Sequence, residues 1–169
     1  MNKQEEFPSM LRGRLWHTTS PARYQMIMKD GFILPEPQVP DQERWAAYRG
    51  PEFHPYVRSL NGVSLFDFDS FNPESYDIRY PLSTWREFVP CRRKWGQAIW
   101  IEINRLLIFE DYISAKQLLA RWKKGESYNH CIMPMIEAAH LGPIPLAVFS
   151  SVLKYDGDAE LFEILPCPK

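Results

Sequence analysis

The chain has 169 residues, 45% of them hydrophobic, enough for one domain with a real core. Its net charge of −1 gives no global pull toward nucleic acid, and its apolar stretches stop short of the roughly 20 residues that span a membrane. Three cysteines without CxxC spacing argue against a disulfide framework and a structural zinc site, and a polar start over 1–6 with no apolar signal core predicts a cytoplasmic protein.

Residues 13–19 predict a short strand with Leu15, His17 and Thr19 on one face and Arg14, Trp16 and Thr18 on the other. A helix follows at once. Ser20 suits the N-cap and Pro21 the first helical position, Tyr24, Ile27 and Met28 recur at helical spacing, and Gly31 stops the turn. Prolines and charges over 34–55 read as an insertion or flap with one helix over 41–49, and loops of this kind often border sites. Residues 62–68 read as a strand covered on both sides, Val63 and Leu65 facing one way and Ser64, Phe66 and Phe68 the other. A helix over 83–89 precedes the cleanest strand, 98–104, where Ile99, Ile101 and Ile103 oppose Trp100 and Glu102. Residues 114–124 form a helix by the spacing of Ala115, Leu118, Leu119 and Trp122, closed by two lysines and Gly125. The Pro-punctuated stretch 132–163 reads as two or three short strands with a tight connection around Pro143 and Pro145. A strand and helix first, then mostly strands with segregated helices, predicts a single α+β domain over 1–169 rather than a doubly wound parallel sheet.

His17 lies mid-strand beside Leu15, where an imidazole needs a hydrogen-bonding partner, whether as a satisfied core histidine or as a functional one. Glu137 is the one ionisable group in an apolar stretch over 131–139, and a buried, unpaired carboxylate is costly enough to need water or a purpose. Two other readings of it stand open. Pro134 starts a helix whose exposed face carries Glu137, or Glu137 and His140 make a Glu-x-x-His metal motif, although no second copy is present. Ser64 offers a hydroxyl, and Phe66 and Phe68 offer either a stacking face for a flat heteroaromatic ring or plain core packing. Two basic-aromatic clusters, Trp85 and Arg86 with Arg92 to Trp95, and Arg121 to Lys124, carry the residue types for phosphate contact and base stacking, or form solvated faces. No GxGxxG, Walker-type loop or GxSxG is present.

Taken in chain order, Leu15-Trp-His-Thr-Thr19, the helix closing on Met28-Lys-Asp-Gly-Phe32, Gly62-Val-Ser-Leu65, and Glu137 ahead of Gly142-Pro-Ile-Pro-Leu146 resemble the ADP-ribosyltransferase superfamily. The opening resembles the diphtheria-toxin and poly-ADP-ribose-polymerase branch, and the later motifs resemble, more loosely, DNA-modifying bacterial toxins and RNA 2′-phosphotransferases. The resemblance implies split antiparallel β-sheets with peripheral helices and NAD as substrate, without a metal. It puts His17 on a ribose of NAD, the backbone near Thr18 and Thr19 on the nicotinamide amide, and Ser64 and Phe66 beside the ring. Glu137 then holds the ribose 2′-hydroxyl and stabilises the positive charge of an oxocarbenium-like transition state. In two places the sequence departs from the family. Thr18 stands where many members have Gly, and Phe66 where a Tyr is common, which leaves the stacking aromatic open among Phe66, Phe68 and Tyr76.

The leading expectation is therefore transfer of ADP-ribose to a macromolecule, nucleic acid or protein, by a toxin or effector that an antitoxin or immunity protein restrains, with no membrane role. An NAD-dependent RNA 2′-phosphotransferase would want cations for the phosphate, with Arg12, Arg14 and Arg23 available. A catalytically silent nucleotide- or partner-binding module is the rival from another class. Convergence of His17 and Glu137 on one cleft favours an enzyme, and their separation favours the module.

Overall fold

Leu15–Thr19 (β1) runs directly into Pro21–Asp30 (α1). The Ser20 hydroxyl accepts from the Arg23 backbone N–H at 3.3 Å, Pro21 opens the first turn, and Gly31 closes the helix in the left-handed region at φ 81°. These details belong to a computed structural model that describes residues 6–169; the polar start read over residues 1–5 lies outside them. The remaining elements are Phe32–Ile33 (β2), Tyr56–Ser59 (α2), Gly62–Asp67 (β3), Pro73–Arg79 (α3), Gln97–Ile103 (β4) and Tyr112–Ile113 (β5). Ala115–Lys124 (α4), Glu137–Leu141 (β6), Ile144–Pro145 (β7), Phe149–Asp156 (β8) and Leu161–Leu165 (β9) complete the chain.

Seven strands form one sheet in the order β5-β6-β3-β1-β4-β8-β9, and β2 pairs with β7 in a separate ribbon. Every described pairing is antiparallel, so the domain is α+β. Both faces of the central strands are covered, which is why β1 and β3 lack a clean polar alternation. On one face Leu15, Val63, Leu65, Ile99 and Ile101 pack under Tyr24 and Ile27 of α1. On the other, Trp16, Phe66, Phe68 and Trp100 join an aromatic layer with Phe7, Trp85 and Phe88.

β1 pairs with β4 from Trp16 to Thr19, but its ladder with β3 has only the pairs Leu15↔Asp67 and Trp16↔Phe66. The sheet opens along that seam. Just before it, Asp67 turns to the Arg105 guanidinium, 2.7 Å away, with the Tyr112 hydroxyl donating at 3.2 Å.

Three expectations are corrected. The helix expected over 41–49 is one 3-10 turn, Asp41–Glu43, because Arg44 turns extended at ψ 144° and Ala46 adopts a left-handed φ of 52°. The helix expected over 83–89 is likewise one turn, Trp85–Glu87, and the regular helix of that region is α3, capped by Asn72. The stretch over 132–163 holds β6, β7, β8 and the start of β9. The helix at 114–124 forms with a full capping box between Ser114 and Gln117. Among the described residues no helix is long and apolar enough to cross a membrane.

Candidate active site

His17 stands where β1 and β3 part. Its Nδ1 lies 3.0 Å from the Ser64 carbonyl oxygen, and a carbonyl only accepts, so Nδ1 carries the proton. Burial pushes the imidazole down to about 4; the bond to Ser64 opposes this and Arg23 adds to it, so the ring is neutral near pH 7. Nε2 therefore keeps its lone pair. With no partner for it among the described residues and the ring partly exposed, Nε2 offers an acceptor to an incoming hydroxyl or amide.

Glu137 is the first residue of β6, opposite Phe66 of β3, and is 1% exposed. The alternative of an exposed helix starting at Pro134 is overturned: Met135 takes a φ of 64° and the chain turns instead. The turn is closed twice. The Glu137 N–H donates to the Met133 carbonyl at 3.0 Å, and the Met133 N–H donates to Glu137 Oε2 at 2.9 Å. Ser64 Oγ donates to the other carboxylate oxygen, Oε1, at 2.8 Å. Burial raises the carboxyl to about 7 against the pull of those two bonds, and no cation pairs with it among the described residues. Ser64 thus ties both groups together, its hydroxyl on Glu137 and its carbonyl on His17.

One cleft of about 190 Å³ is lined by His17, Thr18, Thr19, Ser64, Phe66 and Glu137. The Thr18 hydroxyl is spent within the sheet on the Ile99 carbonyl at 3.3 Å, and Thr19 is 3% exposed. Phe68 does not line the cleft and packs between Phe7 and Phe71. Tyr76 lies behind the site, its hydroxyl donating to the Pro134 carbonyl at 2.7 Å. Phe66 is therefore the one aromatic of those three that borders the opening.

Segments far from the sequence motifs complete the walls. Trp45 and Phe88 line the cleft with ring centroids 5.3 Å apart and interplanar angle 71°, and Phe66 sits 5.5 Å from Phe88. The segment over 34–55 lines the cleft through Leu34, Val39, Arg44 and Trp45 and is strapped down by charge. Arg58 of α2 binds Glu36 at 2.9 Å and Asp41 at 2.9 Å, while Arg44 binds Glu36 at 2.6 Å. Of Arg12, Arg14 and Arg23, only Arg23 lines the cleft; Arg14 pairs with Glu102 and Arg12 lies over Phe7.

Glu137 and His140 do not share a site. His140 faces the other side of β6 and its Nδ1 bonds to the Gly142 carbonyl at 3.0 Å. Among the described residues no three His, Cys, Asp or Glu side chains gather as a metal would need. No family model matches the chain, and no curated protein matches it.

Proposed function

We propose that the chain is an NAD-dependent ADP-ribosyltransferase that modifies a macromolecule. The observation that carries this reading is Glu137, buried without a cation, held by Ser64 in the cleft that His17 also lines. Cleavage of the bond from nicotinamide to ribose sends its electron pair to the pyridinium, which departs neutral, and leaves positive charge on the ribose carbon. A fixed carboxylate in a low-dielectric site stabilises that charge far more than water would, because it needs no reorganisation. The acceptor lone pair then closes on the carbon, and its proton leaves to solvent or to Glu137. His17 Nε2 suits a ribose hydroxyl, and Phe66, Phe88 and Trp45 suit a flat ring.

A silent ligand-binding module is the second reading, favoured by one observation: Glu137 is 1% exposed and both its oxygens already accept a bond. Purified protein and its Glu137→Gln variant are incubated with labelled NAD and cell lysate, and nuclease and protease digests are run separately. Glu137-dependent label in one fraction is expected. No loss of NAD and no difference in label between the two folded proteins would leave the module.

A further inference from the structure

Three arginines line the cleft, and they are not equivalent. Arg44 and Arg58 are neutralised by Glu36 and Asp41. Arg23 has no ion pair among the described residues; its Nη2 donates to the Glu43 backbone carbonyl at 2.6 Å. Lys94 Nζ reaches the same oxygen at 3.2 Å, so two cations share one neutral acceptor. Arg92 lies 5.3 Å from the Phe88 ring centroid and 5.2 Å from that of Trp95, and Arg23 stands 6.0 Å from Trp95. Arg92, Lys94 and the exposed Arg93 likewise have no ion pair among the described residues.

Burial lowers the basicity of Arg23, Arg92 and Lys94, and repulsion from neighbouring cations adds to it for Arg23 and Lys94. Glu43 and Glu87 offset this only in part, and from beyond ion-pair distance. Glu43 makes no ion pair, and Glu87 accepts from the Trp45 indole at 3.0 Å. From the cleft wall outward, Arg23, Arg92, Lys94 and Arg93 make a track interleaved with Phe88 and Trp95. Arg92, Arg93 and Lys94 also line a second groove of about 740 Å³, together with Glu87, Asp158 and Glu160.

We infer that this track holds the phosphodiester backbone of a single nucleic-acid strand, DNA or RNA, and leads one nucleotide of it into the cleft. Cations without an ion pair spaced along a path answer repeated phosphates, and the half-buried Trp95 ring answers an unstacked base. A duplex fits poorly, since a group stacked within it cannot approach a carboxylate that is 1% exposed. The second basic-aromatic cluster has no such placement. Arg121, Lys123 and Lys124 sit in the last turn of α4, where Trp122 packs on Tyr128 and donates to the His130 carbonyl. That the strand is the acceptor rests on the transferase reading; that it binds does not.

The test is fluorescence anisotropy of a labelled single strand of about 12 nucleotides, as DNA and as RNA, without NAD. Binding is expected to weaken steeply with salt. Arg93→Ala with Lys94→Ala, both exposed positions that leave the core intact, should weaken it about tenfold and flatten the logarithmic salt slope by about 1.4, two contacts at about 0.7 each. Arg121→Ala with Lys124→Ala should bind as the parent does, and the blunt duplex should compete worse than the strand. Salt-independent binding, an unchanged double variant, or displacement of the strand by polyglutamate at equal charge overturns the inference, the last by assigning the track to an acidic protein. Strand binding without NAD consumption would sink the transferase alone. NAD consumption without strand binding would sink the track alone.

Discussion

Ser64 Oγ and Glu137 Oε1 meet at 2.8 Å between β3 and β6, while the backbone carbonyl of the same serine holds His17 across the seam to β1. Side chain and main chain of one residue thus do separable jobs. Ser64→Ala removes the bond to Glu137 and leaves the one to His17. A buried carboxylate oxygen without its donor costs on the order of 1–3 kcal/mol, so the midpoint of urea denaturation should fall accordingly. The Glu137 carboxyl should also titrate higher, since one of its two stabilising bonds is gone. Turnover that keeps its pH midpoint in the variant would deny Ser64 this role.

The carboxyl itself sets a pH dependence. Its pKa is about 7 when folded against an ordinary 4.5, so the native state holds the proton more tightly than the unfolded chain. Relative to Glu137→Gln, that stabilisation is full below pH 4.5 and is lost as pH rises through about 7, on the order of 3 kcal/mol in all. Denaturation curves of both proteins at about pH 5 and about pH 8 measure the difference. On the transferase reading, transfer needs the ionised form and should rise as pH passes through about 7, with no second limb from His17, whose pKa of about 4 lies below it. Parallel stability curves for the two proteins would mean that Glu137 is not buried in solution.

Arg58 is the strap of the flap. Arg58→Ala frees Asp41 and leaves Glu36 to Arg44 alone, so trypsin should cut within 34–55 faster while the melting temperature of the sheet hardly moves. High salt should mimic the variant, because these carboxylates are half exposed and screened. An unaltered digestion pattern would show that packing, rather than charge, seats the flap.

Trp45 contributes one aromatic wall from that flap. Trp45→Ala removes its edge contact with Phe88 and, on the transferase reading, should weaken NAD binding by about 1 kcal/mol, roughly fivefold, by calorimetric titration. Unchanged affinity would place the ring of the ligand elsewhere in the cleft.

The parts of the site that local chemistry dictates were legible. Ser20, Pro21 and Gly31 fix the ends of α1, and the isolated polar groups His17 and Glu137 mark themselves by the cost of burying them. What was illegible depends on distant partners. Pro134 followed by Glu137 fits a helix start as well as a strand, and only the ladder to β3 and the bond to the Met133 N–H decide between them. Trp45 and Phe88 lie 43 residues apart and come together through a flap with no periodicity of its own. Arg23 looked no different from Arg12 or Arg14, since nothing in the chain announces which arginine finds a carboxylate.

The strand order carries a consequence for synthesis. β1 emerges first, yet its neighbours β3 and β4 follow much later, and β3 waits for β6 to cover its outer edge. Among the described residues only β8 and β9 form a simple hairpin, so most pairing must close long loops before it is rewarded, and folding belongs to the slow, millisecond-to-second regime. His17 and Ser64 leave the ribosome long before Glu137. A cleft assembled in this order stays incomplete on the nascent chain until β6 has emerged and paired with β3.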